Sequence, residues 1–305
     1  MWDQTNQSIY VSVPSLASSH GNCIVALDPV TGSTKNTQFA GSEPDQLAIS
    51  SDNQFLYAAM DGSSSVQRFT LPNLQPDINY SLGAIPFFGP TFGWDIQVAP
   101  TLPHTTAVSR GVFTTSPYSA LAGLSIYDDA MRRPTTASTP GNLFDSLQWA
   151  TNNVIYANNG EVTSFDFYVL TANSSGVTLA HDYPNVFSSF YMSIHYDPVT
   201  NRVYGDDGSI VDPTSGKVIG SFLASGLMVP DPSTHAAYFL GQTAFQFGTT
   251  NATIESFDLT TLTPLAEIAI PNVQGNPLHL VRWGNSGLRL MMILDMSTLL
   301  TTVPS

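Results

Sequence analysis

Asp45, the pair Trp94-Asp95, the pair Phe144-Asp145, Tyr191 and His279 each stand just before, or at the start of, a short apolar run. Carboxylates, an imidazole and aromatic rings are side chains from which binding and hydrolytic sites are made. If the fold gathers the starts of those runs, Asp45, Asp95, Asp145 and His279 share one region. That set would hold Ca²⁺, with Asp95 and Asp145 as its metal ligands, or a softer metal if His279 joined. Without an ion, clustered carboxylates would raise one another's pKa and yield a general acid. The competing reading is that each aspartate caps backbone amides at a turn. Trp94, Phe87, Phe88, Phe92 and Tyr191 pose a similar choice, between an apolar or sugar-stacking surface and packing between sheets.

Other chemistry is thin. There is no GxGxxG, Walker, CxxC or HExxH motif, and GNSG at 284–287 lacks the spacing of a nucleophile elbow. Cys23 is the one cysteine, so no intrachain disulfide forms, and its run CIVAL reads as a buried strand. His195, inside MSIHYD, reads as a hydrogen-bonded core histidine. Asp206-Asp207-Gly208 reads as a tight acidic turn before it reads as a Ca²⁺ site. Asp128-Asp129, just ahead of Arg132-Arg133, reads as a local ion pair or a solvated turn. Asn6, Asn173 and Asn251 begin glycosylation sequons, which act only in a eukaryotic secretory host.

The elements that must position these residues are short. Of 305 residues 42% are apolar, ample for a core, while only 10% are charged. Nine Lys plus Arg against 23 Asp plus Glu give a net charge of −14, which argues against nucleic acid and anionic membrane as partners. No apolar stretch is long enough to span a membrane. Self-repulsion at this charge predicts a monomer.

Residues 44–71 read as strand, polar turn, strand, Gly/Ser turn, strand (QLAIS, FLYAAM, SVQRFTL), and INYSLG supplies a fourth. Four antiparallel strands in about 40 residues make a propeller blade. An apolar–polar marker for the third strand recurs seven times: Leu27-Asp28, Phe69-Thr70, Tyr127-Asp128, Phe165-Asp166, Val211-Asp212, Phe257-Asp258 and Leu294-Asp295. The spacing predicts an all-β, seven-bladed β-propeller in a single domain, 1–305, with a compressed last blade. Approximate blades are 1–43, 44–92, 93–142, 143–188, 189–225, 226–277 and 278–305. The chain opens on what reads as the turn and second strand of a unit, so the first strand of blade 1 is missing or comes from elsewhere. A two-sheet sandwich is the alternative fold.

SIYVSVPS with GNCIVALDPVTGS, and EPDQLAISSDNQFLYAAMDGSSSVQRF, resemble the YVTN-type β-propeller repeats of secreted and surface-layer bacterial and archaeal proteins. Ser51-Asp52-Asn53 stands at the family's SPDG-like turn, Phe55-Leu56-Tyr57 at its LYV strand, and Val25-Ala26-Leu27-Asp28 with Thr31-Gly32 at its last strand and turn. The third and fourth units depart most from the pattern. The resemblance implies a fold rather than an activity; the expected role is an extracellular or cell-surface module that binds a small ligand, glycan or protein partner. The alternative is a lactonase-like hydrolase or lyase with a metal-assisted site at the channel mouth. In a propeller the first strand of each blade lines the channel, so Asp45, Trp94, Asp95, Asp145, Tyr191 and His279 become the site candidates.

Overall fold

The structure, a computed structural model, describes residues 1–112, 120–138, 144–242, 250–273, 276–284, 287–294 and 297–303. Six four-stranded antiparallel sheets follow one another along the chain, each with its strands in sequence order. The first strands of these blades are Trp2–Asp3, Pro44–Ile49, Phe92–Ala99, Ser146–Thr151, Ile194–Asp197 and Met228–Asp231. From the second blade on, each first strand packs against the next, so they form the inner ring. A last, three-stranded sheet (Asn276–Trp283, Gly287–Leu294, Ser297–Val303) touches the sixth blade on one side and the first on the other.

Alternate residues of one strand serve opposite neighbours, as a two-residue period requires. In the second strand of blade 2, Leu56 and Ala58 pack toward blade 1, whereas Tyr57 packs toward blade 3. Each apolar cluster of the core lies between two consecutive sheets. Blades 5 and 6, for example, share Tyr204, Ile210, Ala237, Phe239 and Phe257. With both faces of a sheet covered, its strands read as apolar runs such as CIVAL and FLYAAM rather than as polar–apolar alternation. Outer strands are wetter: Thr34–Phe39 buries none of its residues fully.

The expected seven-bladed ring is corrected to six four-stranded blades. Five markers fall on third strands, in Cys23–Leu27, Ser65–Thr70, Ala120–Asp128, Ser209–Asp212 and Thr250–Asp258. Phe165-Asp166 instead precedes its third strand, Phe167–Asn173, and Leu294 ends a second strand. Asp295 lies outside the described residues. MMILD therefore resembles the marker in composition alone, and the sheet that holds it stops at three strands. A further correction concerns the start: Trp2–Asp3, paired with Ile9 and Ser8, supplies the first strand expected to be missing.

The marker aspartate has a local cause. Asp28 Oδ1 accepts the N–H groups of Val30 and Thr31, at 3.0 and 2.7 Å, and Asp258 repeats this with Thr260 and Thr261. These bonds hold the turn into the fourth strand and keep both carboxyls below their ordinary pKa. Gly216 closes the equivalent turn of blade 5 at φ 65°, where a Cβ would run into the Tyr183 ring.

Strict alternation gives the ring two unlike faces. Turns between second and third strands, and the connections from blade to blade, emerge on one face, called upper here. The other two kinds of turn emerge on the lower face.

Candidate functional site

The inner strands bend where the candidates sit. Pairing shifts between Pro44 and Leu47, between Gly93 and Asp95, and between Pro277 and His279. Such bulges re-aim side chains out of the regular pleat. Asp45 and Trp94 are the residues thereby displaced, and His279 closes the third shift. Asp145 immediately precedes the fourth inner strand, and Tyr191 lies in the connection leading to the fifth. All six candidates are thus at the upper end of the inner ring.

The structure divides them into sectors rather than one cluster. In the sector of blades 2 and 3, Asp45 is electrostatically close to Asp95 and also to Asp61, in the turn after the second strand of blade 2. Burial, then the charges of Asp45 and Glu43, push Asp61 up to about 7. Asp95 is pushed to about 7 mainly by burial, with Asp45 adding to it and amide bonds opposing it. The Asp45 carboxyl retains contact with solvent, yet the surrounding mouth is tight enough that partial desolvation raises it as well.

Asp95 is bound into the fold. Its Oδ1 accepts the Ile96 N–H at 2.7 Å, and its Oδ2 accepts the Leu147 N–H of the next blade at 2.7 Å. Ring contact with Phe92 (centroids 5.6 Å apart) positions the neighbouring half-buried Trp94.

In the sector of blades 4 and 5, Asp145 Oδ2 accepts the Gly160 N–H, and the Gly160 carbonyl accepts the Tyr191 N–H at 3.2 Å. Asp145 Oδ1 is shielded from water without a hydrogen-bond partner. Burial, helped by the charge of Glu161, raises Asp145 to about 7. Tyr191 stands 78% exposed beside Phe190, whose ring meets Phe165 edge-on at 4.8 Å. At the blade 2–3 connection, Phe88 is 58% exposed and Phe87 fully so. These four rings project into solvent, whereas Phe92 is buried as packing requires.

His279 occupies a third sector. Its ring keeps some accessible surface but is crowded by protein, and desolvation with the nearby N-terminal ammonium drives its pKa down to about 4 against the pull of Asp206. His195 Nε2 lies 2.9 Å from Asp206 Oδ1, the hydrogen-bonded arrangement read for it from the sequence. Asp206 also accepts the Ser193 and Met228 amides, and Asp207 accepts the Ser188 and Ser209 amides. The Asp206-Asp207 pair is therefore a turn.

The metal reading does not fit. Both oxygens of Asp95 and Oδ2 of Asp145 are directed at separate backbone amides. Among the described residues no three His, Cys, Asp or Glu side chains converge as a cation would need. A cleft of about 410 Å³ lies elsewhere, on the lower outer side between blades 1 and 2. Its Lys35 is already bonded to the Asn6 and Gln7 carbonyls and to Ser8.

Asp61, Glu43, Glu161 and Phe190 were not singled out from the sequence. Asp61 sits in MDGSSS, where the turn composition hid its place at the mouth.

No protein-family model matches the chain, and no curated protein does. Solved structures do match in shape. The β-propeller domain of Cps50 (Swd1) from Myceliophteria thermophila superposes with a TM-score of 0.68 at 10% identity, covering 100% of this chain and 96% of that one. The dihydro-heme d1 dehydrogenase NirN matches at 0.58 and 15% identity, over 96% of this chain and 60% of that one. A functionally unknown protein from Desulfotomaculum acetoxidans matches at 0.55 and 11% identity, over 85% and 84%. At such identities the likeness establishes the β-propeller fold and nothing narrower.

Proposed function

We propose that this protein is a non-catalytic binding module that engages a partner protein with its upper face. One observation carries the reading: Phe87, Phe88, Phe190 and Tyr191 point into water from two separate blade-to-blade connections. Phe87 and Tyr191 do so at φ 69° and 52°, where a bulky side chain is disfavoured by roughly 1–2 kcal/mol. Exposed aromatic tips on a rigid ring are typical anchors of protein interfaces. Their placement on two connections, with blades 3 and 4 between them, favours a polypeptide over a small ligand or glycan. Among the described residues the hydrolase and lyase alternative finds no metal-type cluster of His, Cys, Asp or Glu, and Asp95 and Asp145 are engaged by backbone amides. A monomeric molecule, and an exported or cell-surface setting, complete the reading. The setting rests on the YVTN-like residues 8–15, 21–33 and 43–69 alone.

The test is selection of displayed peptides against the immobilised protein, with binders located by hydrogen exchange. Protection of residues 84–90 and 187–193, lost in Phe88→Ser/Tyr191→Ser, is the expected result. Protection confined to the lower face, or none, overturns the reading.

A further inference from the structure

The basic residues are segregated from the mouth. Of nine Lys and Arg in the chain, only Arg110 lies toward the upper face, where it is buried and donates to the Leu82 and Ala122 carbonyls. The others lie at lower strand ends or in lower halves. There Arg68 pairs with Asp77 and Asp129, Arg133 with Asp128, and Arg282 with Asp231. At the upper face, Glu43, Asp45, Asp61, Asp95, Asp145 and Glu161 enter no ion pair among the described residues. The aromatic tips therefore border a mouth that is negative and, among the described residues, carries no exposed Lys or Arg; the N-terminal ammonium near His279 is engaged with the Tyr10 carbonyl.

We propose that the segment bound on the upper face is cationic, a Lys- or Arg-bearing stretch of polypeptide whose apolar side chains rest on Phe87, Phe88, Phe190 and Tyr191. Its ammonium or guanidinium groups face Glu43, Asp45 and Glu161. This inference rests on the binding-module reading and gives its partner a chemistry. Charge complementarity selects the sign, because an acidic segment would meet uncompensated carboxylates. The raised pKa values of Asp61 and Asp145 agree with it, as they record mutual repulsion as well as burial. A small polyamine shares the charge but cannot cover aromatic tips on two connections.

The experiment is fluorescence anisotropy at pH 8 with a labelled twelve-residue peptide of alternating lysine and leucine. A glutamate–leucine peptide and spermine serve as comparators, between 50 and 300 mM salt. Tighter binding of the lysine peptide is expected. The variant Glu43→Gln/Asp45→Asn/Glu161→Gln should weaken it about tenfold and flatten its salt dependence. Asp52→Asn/Glu255→Gln/Glu267→Gln changes net charge equally, away from the mouth, and should leave the affinity within about twofold. Equal effects of the two variants, or equal binding of the glutamate peptide, overturn the proposal. Spermine binding as tightly as the peptide overturns the polypeptide partner. If selected peptides dock on the upper face but are uncharged, the cationic inference fails while the module reading survives.

Discussion

The Asp95 carboxylate of the third blade accepts the backbone N–H of Leu147 in the fourth, 2.7 Å away, and so ties one inner strand to the next. Its second oxygen holds its own neighbour, Ile96. One side chain thus fixes both the bulge that bears Trp94 and the spacing between blades.

Asp95→Ala should therefore cost about 1–3 kcal/mol, the usual penalty for orphaning a buried donor. Asp95→Asn keeps one acceptor oxygen and removes a poorly solvated charge, so it should lose less than half as much. Denaturant unfolding reads the difference. Faster hydrogen exchange at Leu147 in the alanine variant would localise it.

Acidity should stabilise the mouth. Asp61, Asp95 and Asp145 have pKa values raised to about 7, above the unfolded carboxylate value near 3.8. Between those values the folded chain holds protons that the unfolded chain releases, so stability falls as pH rises from 4 to 7. His279 and the N-terminal ammonium, lowered to about 4 and about 5, oppose this trend but are outnumbered, so the melting temperature should still be higher at pH 5 than at pH 8. Asp61→Asn, at a carboxyl with an unpartnered Oδ1, should raise it by about 3 °C at pH 8 and hardly at pH 5. A melting temperature that instead climbs steadily from pH 5 to 8 would refute this assignment.

Calcium should do nothing specific. With Asp95 and Asp145 engaged by amides, millimolar Ca²⁺ should shift the melting temperature of wild type and of Asp95→Asn/Asp145→Asn equally. A rise confined to wild type would reinstate a cation at the mouth.

Ring closure depends on Arg289. Its guanidinium, buried in the last sheet, donates to the Pro29 and Val30 carbonyls of blade 1, near where the Trp2 and Trp283 rings meet at 6.1 Å. Arg289→Met leaves those carbonyls without these donors and should cost about 1–3 kcal/mol. Tryptophan emission should shift to the red at denaturant concentrations where the wild type is still closed.

The blades were legible because their strands are apolar on both faces and their corners carry aspartate with threonine or glycine. Both signals are local, and a one-dimensional reading captures local signals. The count went astray where composition mimicked the corner. Phe165-Asp166 and MMILD have the right residues, but the strand order around them comes from packing against other sheets. The two-residue strand Trp2–Asp3 is too short for any periodicity to reveal. At the site, the upper position of all six candidates followed from repeat phase. Their partners did not, because the Leu147 amide that binds Asp95 lies 52 residues away. Nor did the exposure of Phe87 and Tyr191, since a buried aromatic and a projecting one are spelled identically.

Every strand pairing in the described sheets joins strands adjacent along the chain, so each blade is built from neighbouring segments. The Arg289 bonds to Pro29 and Val30, about 260 residues away, and the contact of the Trp2 and Trp283 rings instead join the two ends of the chain. Individual blades can take shape early and in any order, whereas the ring locks only when its far ends meet. A nascent chain emerging from the ribosome would hold a nearly complete but open crescent, its terminal blade faces bare, until the residues from 276 onward arrive. Chaperone dependence, if present, should be concentrated in that interval.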